Sequence, residues 1–203
     1  MSFADLTALK TAIASDWLHR ADLTTAIGDY ITLFESDINS DLRVRQMEAE
    51  TATISTTGYL LHPTNWLGWK EITGTSGGIA YELEPVTDEV AVNATAGDSV
   101  PARYYKVKGT KTYLYPAANA VTFNATYYEG VALTGGTNWL LTRYPNAYLY
   151  GALLQAVAAG LDDGRVPLWQ EAYRMTLERI RADDRKSAWS GQNLAMRHTS
   201  FLP

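Results

Sequence analysis

The chain has 203 residues, 46% of them hydrophobic and 19% charged, with a net charge of −5; this is enough apolar material for a packed core and excludes a disordered polypeptide. Cysteine is absent, which removes disulfides and thiolate chemistry and leaves the redox compartment open. The charge is unevenly spread, −5 over residues 1–50, −3 over 51–164 and +3 over 165–203, without the dense basic face that a general nucleic-acid binder needs.

The first residues have neither a basic start nor an apolar run, so no secretory signal is expected. Phe3, Leu6, Leu9, Ile13 and Trp17 recur at three- and four-residue steps, which predicts a first helix. Ser2, ahead of Asp5, is placed as its N-cap. After a break over residues 19–22, Asp22 is expected to cap a longer helix. Its Leu23, Ala26, Ile27, Tyr30, Ile31, Phe34, Ile38 and Leu42 form a continuous apolar stripe, so it should pack on other helices.

From Thr51 the texture changes. Residues 51–58 are rich in β-branched side chains without a helical period and read as a strand. A second extended piece, 59–63, ends at Pro63. Residues 69–73 and 79–83 flank the glycine-rich stretch 74–78 as a hairpin, and 85–93 are expected to hold a short helix. Residues 103–107 and 112–115 flank a turn at Lys108 and Gly109. The alternation Val121, Phe123, Ala125, Tyr127 marks one more strand over 121–128.

Helix returns after Gly135 and Gly136. Asn138 is positioned to cap a short turn to Leu141, and Pro145, at a natural first helical position, opens a helix over 146–161. That stretch is the most apolar in the chain, but Gly151 and Gln155 interrupt it and it is too short to cross a bilayer. Asp162, Asp163 and Gly164 break the chain, and Pro167 opens a last helix to about Trp189. Trp169, Tyr173, Leu177 and Ile180 form its inward stripe. Glu171 and Glu178 stand at helical spacings from Arg174, Arg181 and Arg185, as on a wet surface.

Residues 191–203 have no helical pattern and too few apolar side chains to fold alone; fully extended they span roughly 40 Å. Leu194, Met196, Phe201 and Leu202 are anchors suited to an arm that orders on a partner. The 13 Tyr and 6 Trp, against 4 Phe, suit surfaces buried on assembly. The expected fold class is α+β: a helical bundle of two N-terminal and two to three C-terminal helices (1–49 and 134–190), an inserted small antiparallel β-region (50–133) and an extended C-terminal arm (191–203).

Catalytic patterns are missing. His19, His62 and His198 lie in separate segments without a ligand at metal spacing, and each reads as a surface or loop histidine. Asp162 and Asp163 belong to an interhelical turn, and Asp183 and Asp184 to an arginine-flanked helix face. The glycine clusters lack the context and the lysine of a phosphate cradle, and no serine has the nucleophile-elbow pattern. Tyr104, Tyr105, Tyr127 and Tyr128, near Arg103, Lys106 and Lys108, offer a base-stacking platform as a minor alternative. No enzyme activity, metal or cofactor is expected.

Four segments together carry a family resemblance. They are residues 37–48 (Asp-Ile-Asn-Ser-Asp-Leu-Arg-Val-Arg-Gln-Met-Glu) running into the threonine-rich strand, residues 59–66 (Tyr-Leu-Leu-His-Pro-Thr-Asn-Trp), residues 138–156 (Asn-Trp-Leu-Leu-Thr-Arg-Tyr-Pro-Asn-Ala-Tyr-Leu-Tyr-Gly-Ala-Leu-Leu-Gln-Ala), and residues 189–197 (Trp-Ser-Gly-Gln-Asn-Leu-Ala-Met-Arg). In order and spacing, from about residue 5 to 197, they resemble tailed-bacteriophage head-to-tail adaptor (connector) proteins. The stretch 138–156 is the most specific. At 59–66 Leu-His-Pro-Thr-Asn stands where the family has Leu-Pro-x-Asp-aromatic, and about 74–100 matches poorly, as a loop-rich insertion would.

The resemblance implies a homo-oligomeric ring in the virion, commonly dodecameric, at the head–tail junction, assembled in the host cytoplasm. Its partners would be the portal protein, a downstream tail protein and passing double-stranded DNA held without specific binding; no membrane is involved. Carried onto this chain, it makes Trp189, Leu194, Met196, Arg197, Phe201 and Leu202 the portal-binding arm, and Arg43, Arg45, Arg174 and Arg181 subunit-interface candidates. A closed heterologous ring needs two different complementary faces, and the acidic 1–50 and basic 165–203 offer them. The other readings are a tail-completion or tail-terminator ring, and a nucleic-acid-binding module.

Overall fold

The computed structural model describes residues 3–55, 58–76, 78–87, 101–117, 121–133, 136–160 and 163–189. Among them the chain is mixed α/β, with five α-helices and eight strands. It divides into two units, one of Met1–Phe34 with Gly135–Pro203, the other of Glu35–Thr134.

In the first unit, helix α1 (Leu6–Ala12) runs on into a π-helical turn, Ile13–Trp17. Its cap is Asp5, whose Oδ1 accepts the Ala8 N–H at 2.8 Å, and not Ser2, which lies outside the described residues. Asp5 is in extended conformation and thus meets the requirement for an N-cap. A 3-10 turn, Ala21–Leu23, leads into α2 (Thr24–Asp41). The backbone is already turning at Asp22, so the expected cap does not form; its carboxylate instead takes two 2.8 Å hydrogen bonds from Arg20.

Three helices follow late in the chain. Asn138 caps α3 (Trp139–Arg143), its Oδ1 accepting the Leu141 N–H at 2.8 Å. Pro145 is the first residue of α4 (Pro145–Ala158), where its missing N–H costs no hydrogen bond. The helix stops three residues short of its expected end. Helix α5 (Val166–Trp189) is the longest. The core of this unit is Leu9, Ile13, Ile27, Phe34, Leu140, Tyr148, Leu153, Trp169 and Ile180, all 1% exposed or less. Phe34 sits between two rings of other helices, edge-on to Tyr148 at 5.0 Å and Tyr173 at 6.1 Å.

The second unit holds two four-stranded sheets. One has the order β1 (Glu48–Ser55), β8 (Val121–Glu129), β3 (Trp66–Ser76), β4 (Ile79–Glu82), all antiparallel. The other runs β2 (Tyr59–Leu61), β7 (Lys111–Tyr115), β6 (Tyr104–Lys108), β5 (Glu84–Pro85). Ile72, Phe123 and Ala125 of the first sheet and Leu60 and Leu114 of the second share one buried cluster with Leu83 and Ala102. The alternation read at Phe123, Ala125 and Tyr127 is the inward face of β8; the Val121 side chain lies outside the described set.

Two expectations for this unit are corrected. The β-region is not purely antiparallel: Glu84 and Pro85 pair in parallel with Tyr104 and Tyr105. Pro85 is therefore in a strand and does not start a helix, which its missing N–H tolerates at a sheet edge. The rest of the expected helix, 88–93, lies outside the described residues. Strand β3 is also longer than its sequence pattern, because register shifts between Trp66 and Gly68 and between Trp69 and Glu71 scramble the period of two.

Candidate assembly surfaces

The exposed face of α5 is built on charge. Arg174 donates to both Glu171 oxygens, at 3.0 and 2.6 Å, and to Glu178 one turn on. These pairs hold the Glu171 carboxyl below its ordinary range and the Arg174 guanidinium above its own. All three side chains are more than half exposed, so the triad stiffens the surface more than it stabilises the fold. Arg181 lies on the same exposed side.

Beside this charged strip, α5 leaves Leu168 67% and Met175 59% exposed, and α2 leaves Leu33 53% exposed. The apolar stripe read in the sequence, Trp169 to Ile180, is the buried one. It hid the second stripe, whose signal was the four-three spacing of residues 168, 172, 175, 179, 182 and 186.

A charged joint lies at the start of α5. The Arg165 guanidinium forks onto Asp163 at 2.7 to 3.1 Å and also donates to the Trp17 carbonyl at 2.7 Å. The hydrogen bonds from Arg165 lower the Asp163 carboxyl to about 2. Leu18, Arg20, Leu153, Ala156, Val157, Asp163 and Trp169 line a cavity of about 260 Å³ next to it. Further along, Asp183 accepts the Tyr144 hydroxyl at 2.8 Å. Burial, joined by this bond, raises the Tyr144 hydroxyl above its ordinary range. Asp163 and Asp183 thus both have structural partners.

In the second unit, Arg43 caps its own helix: Nη1 donates to the Asn39 and Leu42 carbonyls, both at 2.6 Å, and the guanidinium lies 6.0 Å from the Tyr128 ring centroid. Arg45 opens a 3-10 turn, Arg45–Met47, and is partly buried. Trp189 is the last residue of α5; its side chain, and Leu194, Met196, Arg197, Phe201 and Leu202, lie outside the described residues.

The outward face of the first sheet is polar. Glu50 and Glu71 flank Thr126 in one cross-strand row, and Asn124 stands beside Thr73 in another. Together with Thr51 and Ala125 they line a depression of about 450 Å³ that has two carboxylates and no basic side chain, the opposite of a phosphate-binding groove. Nor do the tyrosine pairs make a stacking platform. Tyr127 is 8% exposed and Tyr105 packs on the core cluster, while Arg103 lies over the Tyr81 ring at 4.6 Å.

His62 lies in the loop between β2 and β3, as expected, and its half-buried side chain joins an aromatic group. Its ring stacks on Trp66 at 3.7 Å and meets Trp69 edge-on at 5.9 Å. The Thr112 hydroxyl, fully buried, accepts the Trp69 Nε1–H at 2.6 Å and lies 2.9 Å from His62 Nε2. Burial lowers the imidazole below its ordinary range. Among the described residues no three His, Cys, Asp or Glu side chains cluster as metal ligands, and no helix is long and apolar enough to cross a membrane.

The model of the family described as SU10 adaptor protein matches residues 1–197. No curated protein matches the chain.

Proposed function

The chain belongs to the SU10 adaptor protein family of phage head-to-tail adaptors, and from that premise we propose that copies of it close into a ring joining the capsid portal to the tail. The family implies a structural, non-enzymatic role at the head–tail junction of the virion. The finer reading assigns parts. The helices of 1–49 and 134–190 form a bundle that contacts neighbouring subunits and the portal, the β-region of 50–133 faces the tail, and residues 191–203 are an arm that docks on the portal. Double-stranded DNA passes through the centre, and the ring, commonly dodecameric in such proteins, forms in the host cytoplasm before it is part of the virion.

One observation carries the reading: the family match runs past the end of α5 to residue 197, and so takes in Leu194, Met196 and Arg197. A segment kept within a family match, with apolar anchors and a basic residue, suits recognition better than a solvated end. Many such arms acting at once hold a ring far more tightly than one. The interface candidates Arg174 and Arg181 remain part of the proposal, with Arg43 and Arg45 at the end of α2.

The test is a chain ending at Trp189, compared with the full chain for binding to its cognate portal. Loss of binding with an unchanged unfolding midpoint supports the arm. Undiminished binding defeats it, and binding to tail tubes with indifference to portals would replace the adaptor with a tail-terminator ring.

A further inference from the structure

From the exposed faces of α2 and α5 we infer the contact that propagates the ring: the Met175–Arg179 turn of one copy docks antiparallel on the Asp29–Leu33 turn of the next. The inference rests on the ring proposed above and names the surfaces that close it.

A surface helix normally has one apolar stripe, turned to the core. Helix α5 has two. Trp169 and Ile180 are buried at 1% exposure, while Leu168 and Met175 keep 67% and 59% of their surface in solvent. The exposed pair belongs to the series Leu168, Ala172, Met175, Arg179, Ala182, Lys186. Its four-three spacing is that of a seam against another helix. The seam is apolar in its first half and cationic in its second, and holds no carboxylate.

Helix α2 offers the complement. Its eighteen residues include no Lys or Arg, and its exposed side has Asp29 one turn before Leu33. On α5, Met175 precedes Arg179 by the same single turn. With the helices antiparallel, Leu33 lies on Met175 and Asp29 on Arg179, so an apolar contact and an ion pair form together. Met adapts its shape to such a contact.

The two faces cannot meet within one chain. There α2 and α5 already approach through Phe34 and Tyr173, whose rings are 6.1 Å apart. At about 100° per residue, Leu33 points roughly a quarter-turn away from Phe34, and Met175 nearly half a turn away from Tyr173. The occupant of each face is a second copy because the two turns are complementary, Leu33 to Met175 and Asp29 to Arg179. Because the faces differ, the contact is heterologous and repeats around a ring.

The chain has no cysteine, so single-cysteine variants report the contact cleanly. Leu33→Cys and Met175→Cys chains are mixed and oxidised, both free at high concentration and bound to portal. The expected product is a mixed disulfide dimer, about tenfold above either variant alone. Asp29→Arg in the first chain lowers that yield, and Arg179→Asp in the second restores it. Absence of the mixed dimer in both settings overturns the inference. So does Leu33→Cys pairing with itself, or a Met175→Cys thiol that becomes reactive only when residues 190–203 are removed, which would make the chain's own end the occupant. Portal binding, scored on the same samples, separates the two ideas: binding without the cross-link removes this contact and leaves the adaptor role standing.

Discussion

Asn39 spends its whole carboxamide on one residue, Val131: Nδ2 donates to the Val131 carbonyl at 2.9 Å and Oδ1 accepts the Val131 N–H at 2.7 Å. The side chain thereby acts as a one-residue strand partner for the segment that follows β8, and the Glu35 carboxylate takes the Leu133 N–H at 2.8 Å one helical turn earlier. Val131 and Leu133 are buried at 3% and 7% exposure, so their backbone groups have little water to turn to. Asn39→Ala should cost about 1–3 kcal/mol, read as a lower urea midpoint. Asn39→Asp keeps the acceptor for the Val131 N–H and loses the donor, and should fall between the two.

Gly151 meets the Phe34 ring so closely that a Cβ built there falls within contact distance of three ring atoms, Cγ among them at 2.8 Å. Phe34 is 1% exposed and held by Tyr148 and Tyr173, so it cannot swing aside. Gly151→Ala should destabilise by about 1–3 kcal/mol despite the better helix propensity of alanine. Adding Phe34→Leu should recover part of the loss, a non-additivity that denaturant titration of the double mutant would detect.

Thr112 is the buried hub of the aromatic group. Removing its hydroxyl leaves the Trp69 N–H and a His62 ring nitrogen without their shared partner. Thr112→Val should cost about 1–3 kcal/mol through these groups, and Thr112→Ser, which keeps the oxygen, should cost less. Tryptophan fluorescence followed through urea unfolding measures both.

Acid should weaken the joint at Asp163. Its carboxyl titrates at about 2 in the folded chain, below the unfolded value near 4. A depressed folded value gives stability that is fully present above the unfolded one and is lost as pH falls from about 4 to about 2. The gap in unfolding midpoint between wild type and Asp163→Asn should therefore be constant above pH 5 and narrow steadily below pH 4. A gap that did not change with pH would show that the Arg165 bonds contribute nothing to stability.

Much of the fold was legible in the sequence where local chemistry decides it. The cap at Asn138, proline at the start of α4 and the inward residues of β8 are set by a few neighbouring side chains, and the structure has them. The misses have long-range causes. The parallel pairing of Glu84 with Tyr104 joins residues twenty apart, and no local pattern announces it. The shifts in β3 break the period that would have given its full length. Asp22 satisfied the composition of a cap, but Arg20 two residues back drew its carboxylate away.

The surface residues divide the same way. Arg174 was legible as a charged helix face because its partners lie three and four residues off. Leu168 and Met175 were not, since a sequence alone cannot tell which of two apolar stripes on one helix is covered. His62 is the loop residue it reads as, but its packing was not legible, because the stacking partner Trp66 and the bonding partner Thr112 come from different strands.

The adaptor role rests on what the chain does at the portal. An image of the full chain bound to portal-containing particles tests this directly. The result predicted is a closed ring of this protein between portal and tail, with Leu194, Met196, Phe201 and Leu202 seated on the portal and α5 of each subunit against α2 of its neighbour. A junction without the ring, or a ring whose residues 191–203 fold back over their own subunit, would contradict it.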